Sequence, residues 1–430
     1  MKNIINIAVV GLGQVGIYLL NELNTKKKDI EIKTGKKINV VAISAKNINK
    51  KRQFKVDKKI FFKNPLEIFV KKKVDILFEA IGQSDGVSKK VVETALKNKI
   101  HVLTPNKALI SKHGNKLAKI AELNNVNLEF EASVAGGIPI LRSIKEGLAT
   151  NKISKVYGIL NGTSNYILSE MENTSQCFSD VLKKAQKLGY AEPGNPKLDL
   201  NGLDAFAKVR ILSALAFHSK ISNHNCLVDG IEKIELKDIK IASQLDFRVK
   251  LLGISEQKNN KLFETVHPCL VSKKSYIGNV SGVMNAVILE GKPVGQSILQ
   301  GEGAGPGPTS SALLSDLLSI LRGNIKNPFG VSVSKLKSLK NYNVNNYVNS
   351  LYLRFEVKDK SGVLSQITNR LAKYKISVKR LIQTPDKKNN KATIVIITHK
   401  TSELNCSNCL SIFKNNKNIL KNPTLIRLLS

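Results

Sequence analysis

Ile4-Ile5-Asn6-Ile7-Ala8-Val9-Val10-Gly11-Leu12-Gly13-Gln14-Val15-Gly16 decides the fold class of this chain. Residues 4–10 form an almost continuous apolar run, the pattern of a strand buried on both faces of a parallel sheet. The run stops at Gly11, and Gly11, Gly13 and Gly16 spell G-x-G-x-x-G directly ahead of the helical spacing Val15, Leu19, Leu20, Leu23. At a strand-to-helix junction each glycine has a physical purpose: a tight turn, close backbone approach to a pyrophosphate, and close helix packing, with the helix N-terminus favouring the anion. Gly11, Leu12, Gly13, Gln14, Val15 and Gly16 are therefore candidate dinucleotide contacts. An ordinary glycine-rich turn is the competing reading, and the strand before it and helix after it weigh against that.

Further strands are expected at residues 39–44, 74–80, 101–104 and 128–131, with helices at 88–97 and 111–124. Alternating strands and helices imply a Rossmann-type, doubly wound α/β sheet. The second strand of such a sheet normally ends on an acidic residue for the adenosine ribose of NAD, whereas here Ser44-Ala45-Lys46 runs on to Lys50-Lys51-Arg52. Lys46 and Arg52 stand where a 2′-phosphate would lie and favour NADP, although surface lysines in a basic chain account for them equally well.

At 430 residues the chain exceeds the ~150 typical of one domain, so two or three units are expected. Hydrophobic residues at 42% and charged residues at 23% are ordinary globular usage, which excludes wholesale disorder, collagen-like repeats and coiled coil. No apolar run approaches the ~20 residues of a membrane span, and the chain start reads as a strand rather than a secretion signal, so a cytoplasmic location without membrane contact is expected. Lys and Arg number 68 against 33 Asp and Glu, and the net charge of +35 raises nucleic acid as a partner. Those residues are scattered in short groups (26–28, 50–52, 71–73, and Lys387 with Lys388) and form no stripe interleaved with aromatics. They read as solvated surface, with no nucleic-acid partner. Five cysteines are too few for a disulfide framework, and Cys406-x-x-Cys409 lacks a second pair or a histidine at zinc spacing. That pair is expected on a surface helix, and the six histidines show no ligand spacing.

From about residue 132 to 300 scattered glycines and long mixed stretches read as a second, α+β domain that covers the substrate. Gly301-Glu302-Gly303-Ala304-Gly305-Pro306-Gly307-Pro308-Thr309 then precedes an amphipathic run over 312–321. Such a loop brings backbone N–H groups to a ligand or lets two domains approach closely, and both readings stand. Residues 324–349, rich in Asn, Lys and Ser, read as a linker. Beyond it, strands at 351–357, 376–383, 392–398 and 424–429 and helices at 363–374 and 402–413 give βαββαβ, the ferredoxin-like order. Its first turn, Asp359-Lys360-Ser361-Gly362-Val363-Leu364, puts a glycine where a small ligand's carboxylate would meet helix N–H groups.

A nicotinamide site must lie at the carboxyl ends of the strands and in the facing domain. Lys107, after Thr104-Pro105-Asn106, is expected to project from a loop at that edge. Asp204 and Lys208 lie one turn apart on an expected helix over 203–215. Its other residues are apolar or small, so a lysine facing inward would need carboxylates to hold it; taken alone, the pair reads as a surface ion pair worth ~0.3–0.5 kcal/mol. Phe130-Glu131-Ala132-Ser133-Val134-Ala135-Gly136-Gly137-Ile138-Pro139 could offer oxygens to a hard cation or serve as a plain connecting turn.

Seven motifs in one order resemble homoserine dehydrogenase over about residues 4–322. They are G-x-G-x-x-G, Thr104 to Leu109, Phe130 to Pro139, Gly158 to Leu168 (Gly-Ile-Leu-Asn-Gly-Thr-Ser-Asn-Tyr-Ile-Leu), Gly189-Tyr190-Ala191-Glu192, Asp199 to Asp204, and Gly301 to Gly305. The tail from about residue 350 resembles an ACT domain, the amino-acid-sensing module on many members of that family. The resemblance implies a Rossmann NAD(P)-binding domain over 1–132 completed by 301–323, a catalytic and dimerisation domain over 133–300, a linker over 324–349 and an ACT domain over 350–430. It also implies reversible reduction of L-aspartate 4-semialdehyde to L-homoserine with NADPH or NADH, on the way to threonine and methionine.

By motif matching, Lys208 falls on the family's catalytic lysine and Lys107 on the lysine of the cofactor and substrate cleft. Glu192, Asp199 and Asp204 fall on the acidic substrate stretch, with Tyr190, Gly162 and Thr163 beside it, and Gly305 on a cofactor-contacting glycine. Glu131, Val134, Gly136 and Ile138 fall on a loop for a monovalent cation such as Na+. Pro193-Gly194-Asn195-Pro196 departs from the family's acidic segment and leaves Asp199 the least anchored of these assignments. The ACT resemblance implies a homodimer or homotetramer with threonine as effector near Asp359, Gly362, Val363 and Leu364. An alkoxide forms when hydride reaches an aldehyde, and an ammonium at position 208 would both stabilise and protonate it. The competing readings are an NADP oxidoreductase for another carbonyl substrate, a non-catalytic amino-acid sensor, and a nucleic-acid binder.

Overall fold

The structure, a computed structural model, describes residues 3–429 apart from 195, 225, 387, 388 and 415. Asn195 of the divergent loop and the basic pair Lys387 and Lys388 thus lie outside the described residues. Six parallel strands, β1 (Ile4–Val10), β2 (Lys37–Ser44), β3 (Phe61–Phe62), β4 (Ile76–Glu79), β5 (His101–Leu103) and β6 (Leu128–Glu129), pair in the order β3-β2-β1-β4-β5-β6. The order reverses between β1 and β4, which is the switch point where doubly wound sheets bind ligands. Ile7 and Val9 of β1 share one core with Leu19 and Leu23 of the helix Gln14–Thr25, and Leu313 and Leu317 of the helix Pro306–Leu321, distant in sequence, join it. Ala8 and Val10 point into the opposite core with Val91 and Leu109. The two-residue β3 is too short to leave a periodic signal.

A mixed sheet of 11 strands forms the rest of the frame. Gly295–Glu302, Met284–Lys292, Lys152–Ile159, Phe247–Lys258 and Lys261–Ser272 lie side by side in that order. The sheet then continues through Thr424–Leu428, Leu351–Lys358, Lys391–Thr398 and Val378–Asp386. These last four strands carry the βαββαβ order and pair antiparallel among themselves. The unit is stitched to the rest by a short parallel register, Cys269 to Arg427 and Leu270 to Leu428. Residues 324–349 carry little regular structure, yet they anchor Phe329, Leu336, Leu339 and Tyr347 in the interior. Cys406 and Cys409 stand on the helix Glu403–Phe413, but on its buried face, against Phe355 and Ile367, so the surface placement expected of them is corrected. No helix among the described residues is long and apolar enough to cross a membrane.

A buried ionic cluster locks the C-terminal unit down. Arg354, on the first strand of that unit, is 2% exposed and grips Asp238 with two hydrogen bonds of 2.6 and 3.0 Å, while the Tyr352 hydroxyl donates to the same carboxylate at 2.9 Å. Asp238 itself caps the helix Leu236–Gln244, which packs on Phe247–Lys258. Arg427 repeats the device, paired with Glu403 at 2.6 and 2.9 Å and reaching Asp229 at 3.5 Å. Removing one partner of a buried pair strands the other charge, so Asp238→Ala is expected to cost about 3–5 kcal/mol. Urea unfolding of the full chain measures it, and an unchanged midpoint would show that the cluster contributes nothing net.

Candidate active site

Two cavities open at the carboxyl ends of the strands. The first, about 450 Å³, is lined by Gly11, Leu12, Gly13, Ser44, Lys46 and Arg52 together with Asn47, Lys50, Lys63 and the segment after β4. Gly11 holds φ at +96°, and a Cβ there would lie 2.4 Å from the carbonyl oxygen of Ala80. A Cβ on Gly16 would lie 1.8 Å from the Gly11 oxygen, whereas that of Gly13 would face open space. Two glycines are therefore dictated by packing, and the middle one leaves backbone free for a ligand to approach. The lining carries three lysines and one arginine and no carboxylate. Arg52 is held by main-chain oxygens of Leu12, Asn47, Ile48 and Lys50, so it braces the loop as well as charging it.

The second cavity, about 480 Å³, lies between the two sheets' contributions and is lined by Lys107, Asn161, Gly162, Thr163, Tyr190, Asp199, Asp204, Lys208 and the loop 302–305. Lys107 begins the helix Lys107–Leu123 rather than projecting from a loop, because Asn106 caps that helix by accepting from the Leu109 N–H at 3.0 Å. Lys208 sits on the helix Leu203–Ala216 and is 6% exposed, so the surface ion pair suggested by spacing alone is corrected to a buried one. The helix lies close because Gly253 beneath it has no side chain; a Cβ there would come within 2.5 Å of Val209 and 2.8 Å of Leu160. Leu160 then offers its carbonyl oxygen to the Lys208 ammonium at 2.6 Å.

Asp204 ties this cluster together. Its Oδ2 accepts from Lys208 Nζ at 2.9 Å and from the Asn161 amide at 2.9 Å, and its Oδ1 pairs with Lys107 Nζ at 2.9 Å. Burial alone would raise the Asp204 carboxyl, but Lys208 and Lys107 together hold it well below the ordinary carboxylate range. Burial pushes Lys208 below the usual lysine value against the pull of Asp204, and the neighbouring Lys107 charge pushes the same way as burial. For Lys107 burial is outweighed by Asp204, with Asp199 and Glu192 adding to it, and its ammonium is stabilised. Asp199 lies in the cleft, bonded to Asn161 at 2.7 Å, and burial together with the Asp204 charge raises its carboxyl. Glu192 is exposed and lies outside the cavity lining, although its charge still acts on Lys107. The Thr163 hydroxyl donates to the Tyr190 carbonyl at 2.6 Å, and the Tyr190 ring packs 4.9 Å from that of Tyr166.

Glu131 turns both carboxylate oxygens to the N–H groups of Leu141 and Arg142, each at 2.8 Å. Val134, Gly136 (φ +46°) and Ile138 continue that loop, in which the buried Ser133 hydroxyl has no hydrogen-bond partner among the described residues and the Ile138 carbonyl accepts from the Ile140 N–H at 2.8 Å. Gly305 caps the helix Pro306–Leu321 with φ +107°, and a Cβ on Gly136 would lie 2.7 Å from the Gly303 oxygen. The glycine loop thus lines the cavity and lets two segments touch. In the C-terminal unit Gly362, at φ +85°, heads the helix Val363–Lys373, with Val363 buried, Leu364 half-buried, and Asp359 tied through its N–H to the Asn390 carbonyl.

Two groups escape a reading of the sequence. Asn161 bridges Asp199 and Asp204 while capping the helix Gly162–Thr174 through a 2.8 Å bond from Ser164 N–H. An asparagine at the end of an apolar strand, ahead of Gly-Thr-Ser, is the signal that could have found it. Glu79, fully buried at the end of β4, accepts from Ile81 N–H, Ser88 and Thr104 at 2.8, 2.7 and 2.6 Å, and Ser88 in turn accepts from the Asn106 amide at 3.0 Å. A carboxylate closing the otherwise apolar Ile76-Leu77-Phe78 was the available signal.

The family model described as homoserine dehydrogenase matches residues 139–318, its NAD-binding domain matches 11–131, and the ACT domain matches 351–405. The homoserine dehydrogenase of Neisseria gonorrhoeae is 37% identical over 99% of this chain and 98% of its own, and that of Helicobacter pylori is 36% identical over the whole of both. A crystal structure of a homoserine dehydrogenase from Thiobacillus denitrificans superposes with a TM-score of 0.90 at 34% identity, covering 99% of this chain and 98% of that one.

Proposed function

This chain belongs to the homoserine dehydrogenase family, and we propose that its Lys208–Asp204–Lys107 cluster carries out the chemistry of that family. The protein is an NAD(P)-dependent oxidoreductase for the reversible reduction of L-aspartate 4-semialdehyde to L-homoserine, a step towards threonine and methionine. The observation that carries the residue assignments is the Lys208 ammonium, buried at the cleft with two of its three N–H groups spent on Leu160 and Asp204. The third is available to a substrate oxygen.

A nicotinamide cofactor, when bound, supplies or accepts the hydride. The chain's own part is to manage the charge and proton that follow. In reduction, the Lys208 ammonium stabilises the oxygen as it becomes negative and passes it a proton. In oxidation a neutral Lys208 takes the hydroxyl proton, and burial, which lowers its pKa, makes that state reachable closer to neutral pH. The substrate is an amino acid, so its ammonium faces the carboxylates of Asp199 and Asp204, with Glu192 at the rim, and its carboxylate faces Lys107. Thr163, Gly162 and Tyr190 supply the wall.

The glycine turn and the acid-free basic lining fit a dinucleotide with a 2′-phosphate, and we read Lys46 and Arg52, joined by Lys50 and Lys63, as a preference for NADP over NAD. A monovalent cation such as Na+ would be held by Glu131 together with main-chain oxygens of Val134, Gly136 and Ile138, with the Glu131 carboxylate also fixing the turn through the Leu141 and Arg142 N–H groups. Residues 1–132 with 301–323 bind cofactor in this reading, 133–300 bind substrate, and 350–430 sense an effector. Threonine is the ligand proposed for Asp359, Gly362, Val363 and Leu364. ACT units generally pair across subunits, so a homodimer or homotetramer accompanies that assignment. Truncating the ACT unit is a poor probe of it, since removal would expose the edge of Lys261–Ser272 and leave Asp238 without Arg354.

Lys208→Ala is expected to lower kcat by about 10²–10⁴-fold while NADPH binding persists; near-normal turnover of the purified variant would remove Lys208 from its role. Lys46→Ala is expected to weaken kcat/KM for NADPH by roughly tenfold and leave NADH unchanged. Equal losses with both cofactors would refute the 2′-phosphate assignment.

A further inference from the structure

Asn285 lies on the strand Met284–Lys292, in register with Gly301 of the neighbouring strand. Its side chain is 1% exposed, and neither its amide nitrogen nor its amide oxygen has a hydrogen-bond partner among the described residues. Leaving an amide buried and unpaired costs free energy, and an apolar group of the same shape would remove that cost. The next residues of the strand, Ala286, Val287 and Ile288, are all core apolar groups, so nothing in the local pattern calls for an amide. What the amide touches is informative: a Cβ on Gly303 would lie 2.0 Å from Asn285 Nδ2 and 2.6 Å from its Oδ1.

Gly303 is confined on its other side as well. A Cβ on Gly136 would reach its carbonyl at 2.7 Å, and the Gly137 N–H donates to the Glu302 oxygen at 3.0 Å. The loop 302–305 is therefore seated between Asn285 and the 136–137 turn, and the same loop lines the cleft that contains Lys107, Asp204 and Lys208. We propose that Asn285 is a positioning residue for this loop: as the nicotinamide end of the cofactor seats in the cleft, main-chain groups of Gly303 and Ala304 take up the amide's hydrogen bonds and fix the loop against the ligand. The unfavourable burial of the amide in the free protein is then relieved in the complex, which adds to cofactor affinity. The proposal rests on reading this cleft as the nicotinamide end of the site.

The test uses the full chain with Asn285→Leu, similar in volume and without polar atoms, and measures the melting temperature without ligand, the NADPH Kd by fluorescence titration, and kcat. Expected are a melting temperature at or above that of the parent, NADPH binding about tenfold weaker, and a smaller rise in melting temperature on adding NADPH. Parent-like NADPH affinity overturns the proposal, whatever the melting temperature. Should Asn285→Leu fail to fold, Asn285→Ala replaces it, with tenfold weaker binding expected and parent-like binding again contrary. Lys208→Ala is expected to keep NADPH affinity and lose turnover, so failure of the Lys208 assignment and failure of this one appear in different measurements.

Discussion

One buried carboxylate governs the lysine cluster of this cleft. Asp204 holds two ammonium groups, Lys107 and Lys208, at 2.9 Å each, and the Asn161 amide at the same distance. Two lysines brought this close repel one another, and a carboxylate taken out of water is costly unless it is paired. Each charge is tolerable only because the others are present. The three anchors come from different parts of the chain: the helix after β5, the helix Leu203–Ala216, and the junction after Lys152–Ile159. Asp204 therefore fixes the relation of the dinucleotide sheet to the second sheet, and it also sets how readily Lys208 parts with its proton.

Glycine provides the room that this arrangement needs. Gly253 lets the Lys208 helix settle on its strand, Gly11 and Gly16 bring the first helix against Ala80 and the turn, and Gly136 admits the Gly303 loop. The C-terminal unit is not a tethered appendage, because its last strand extends the sheet that carries Lys261–Ser272 and its Arg354 is buried against Asp238. Ile231 donates to the Leu200 carbonyl next to Asp199, and Arg427 reaches Asp229 two residues before it. An effector on the ACT unit thus has packed structure, rather than a flexible link, between itself and the cleft.

Much of the dinucleotide sheet was legible because its longer strands are largely apolar runs, with a recognisable break after β1 at Gly11 and after β5 at Pro105, whereas β3 and β6 are two residues each. The βαββαβ order of the tail was equally plain from alternation of period. The middle was not, since the long pair Phe247–Lys258 and Lys261–Ser272 is buried on both faces over most of its length and carries Lys250 and Glu264 inside, which blurs the pattern. Spacing put Asp204 and Lys208 on one helix face but could not say which way that face turned, because burial there depends on Gly253 forty-five residues on. The burial of Cys406 and Cys409 escaped for the same reason. Asn161 and Glu79 act through partners distant in sequence, so only a folded chain shows what they hold.

The central claim is that the Lys208 proton is controlled by burial and by Asp204 in opposition. The pH dependence of homoserine oxidation, compared between the parent and Asp204→Asn, addresses it most directly. With Lys208 in its proposed role, oxidation needs it neutral, so the rate should rise with pH through the Lys208 pKa, and removing the anion that holds the proton should move that rise to lower pH. A rise left in place, or moved to higher pH, would contradict the account.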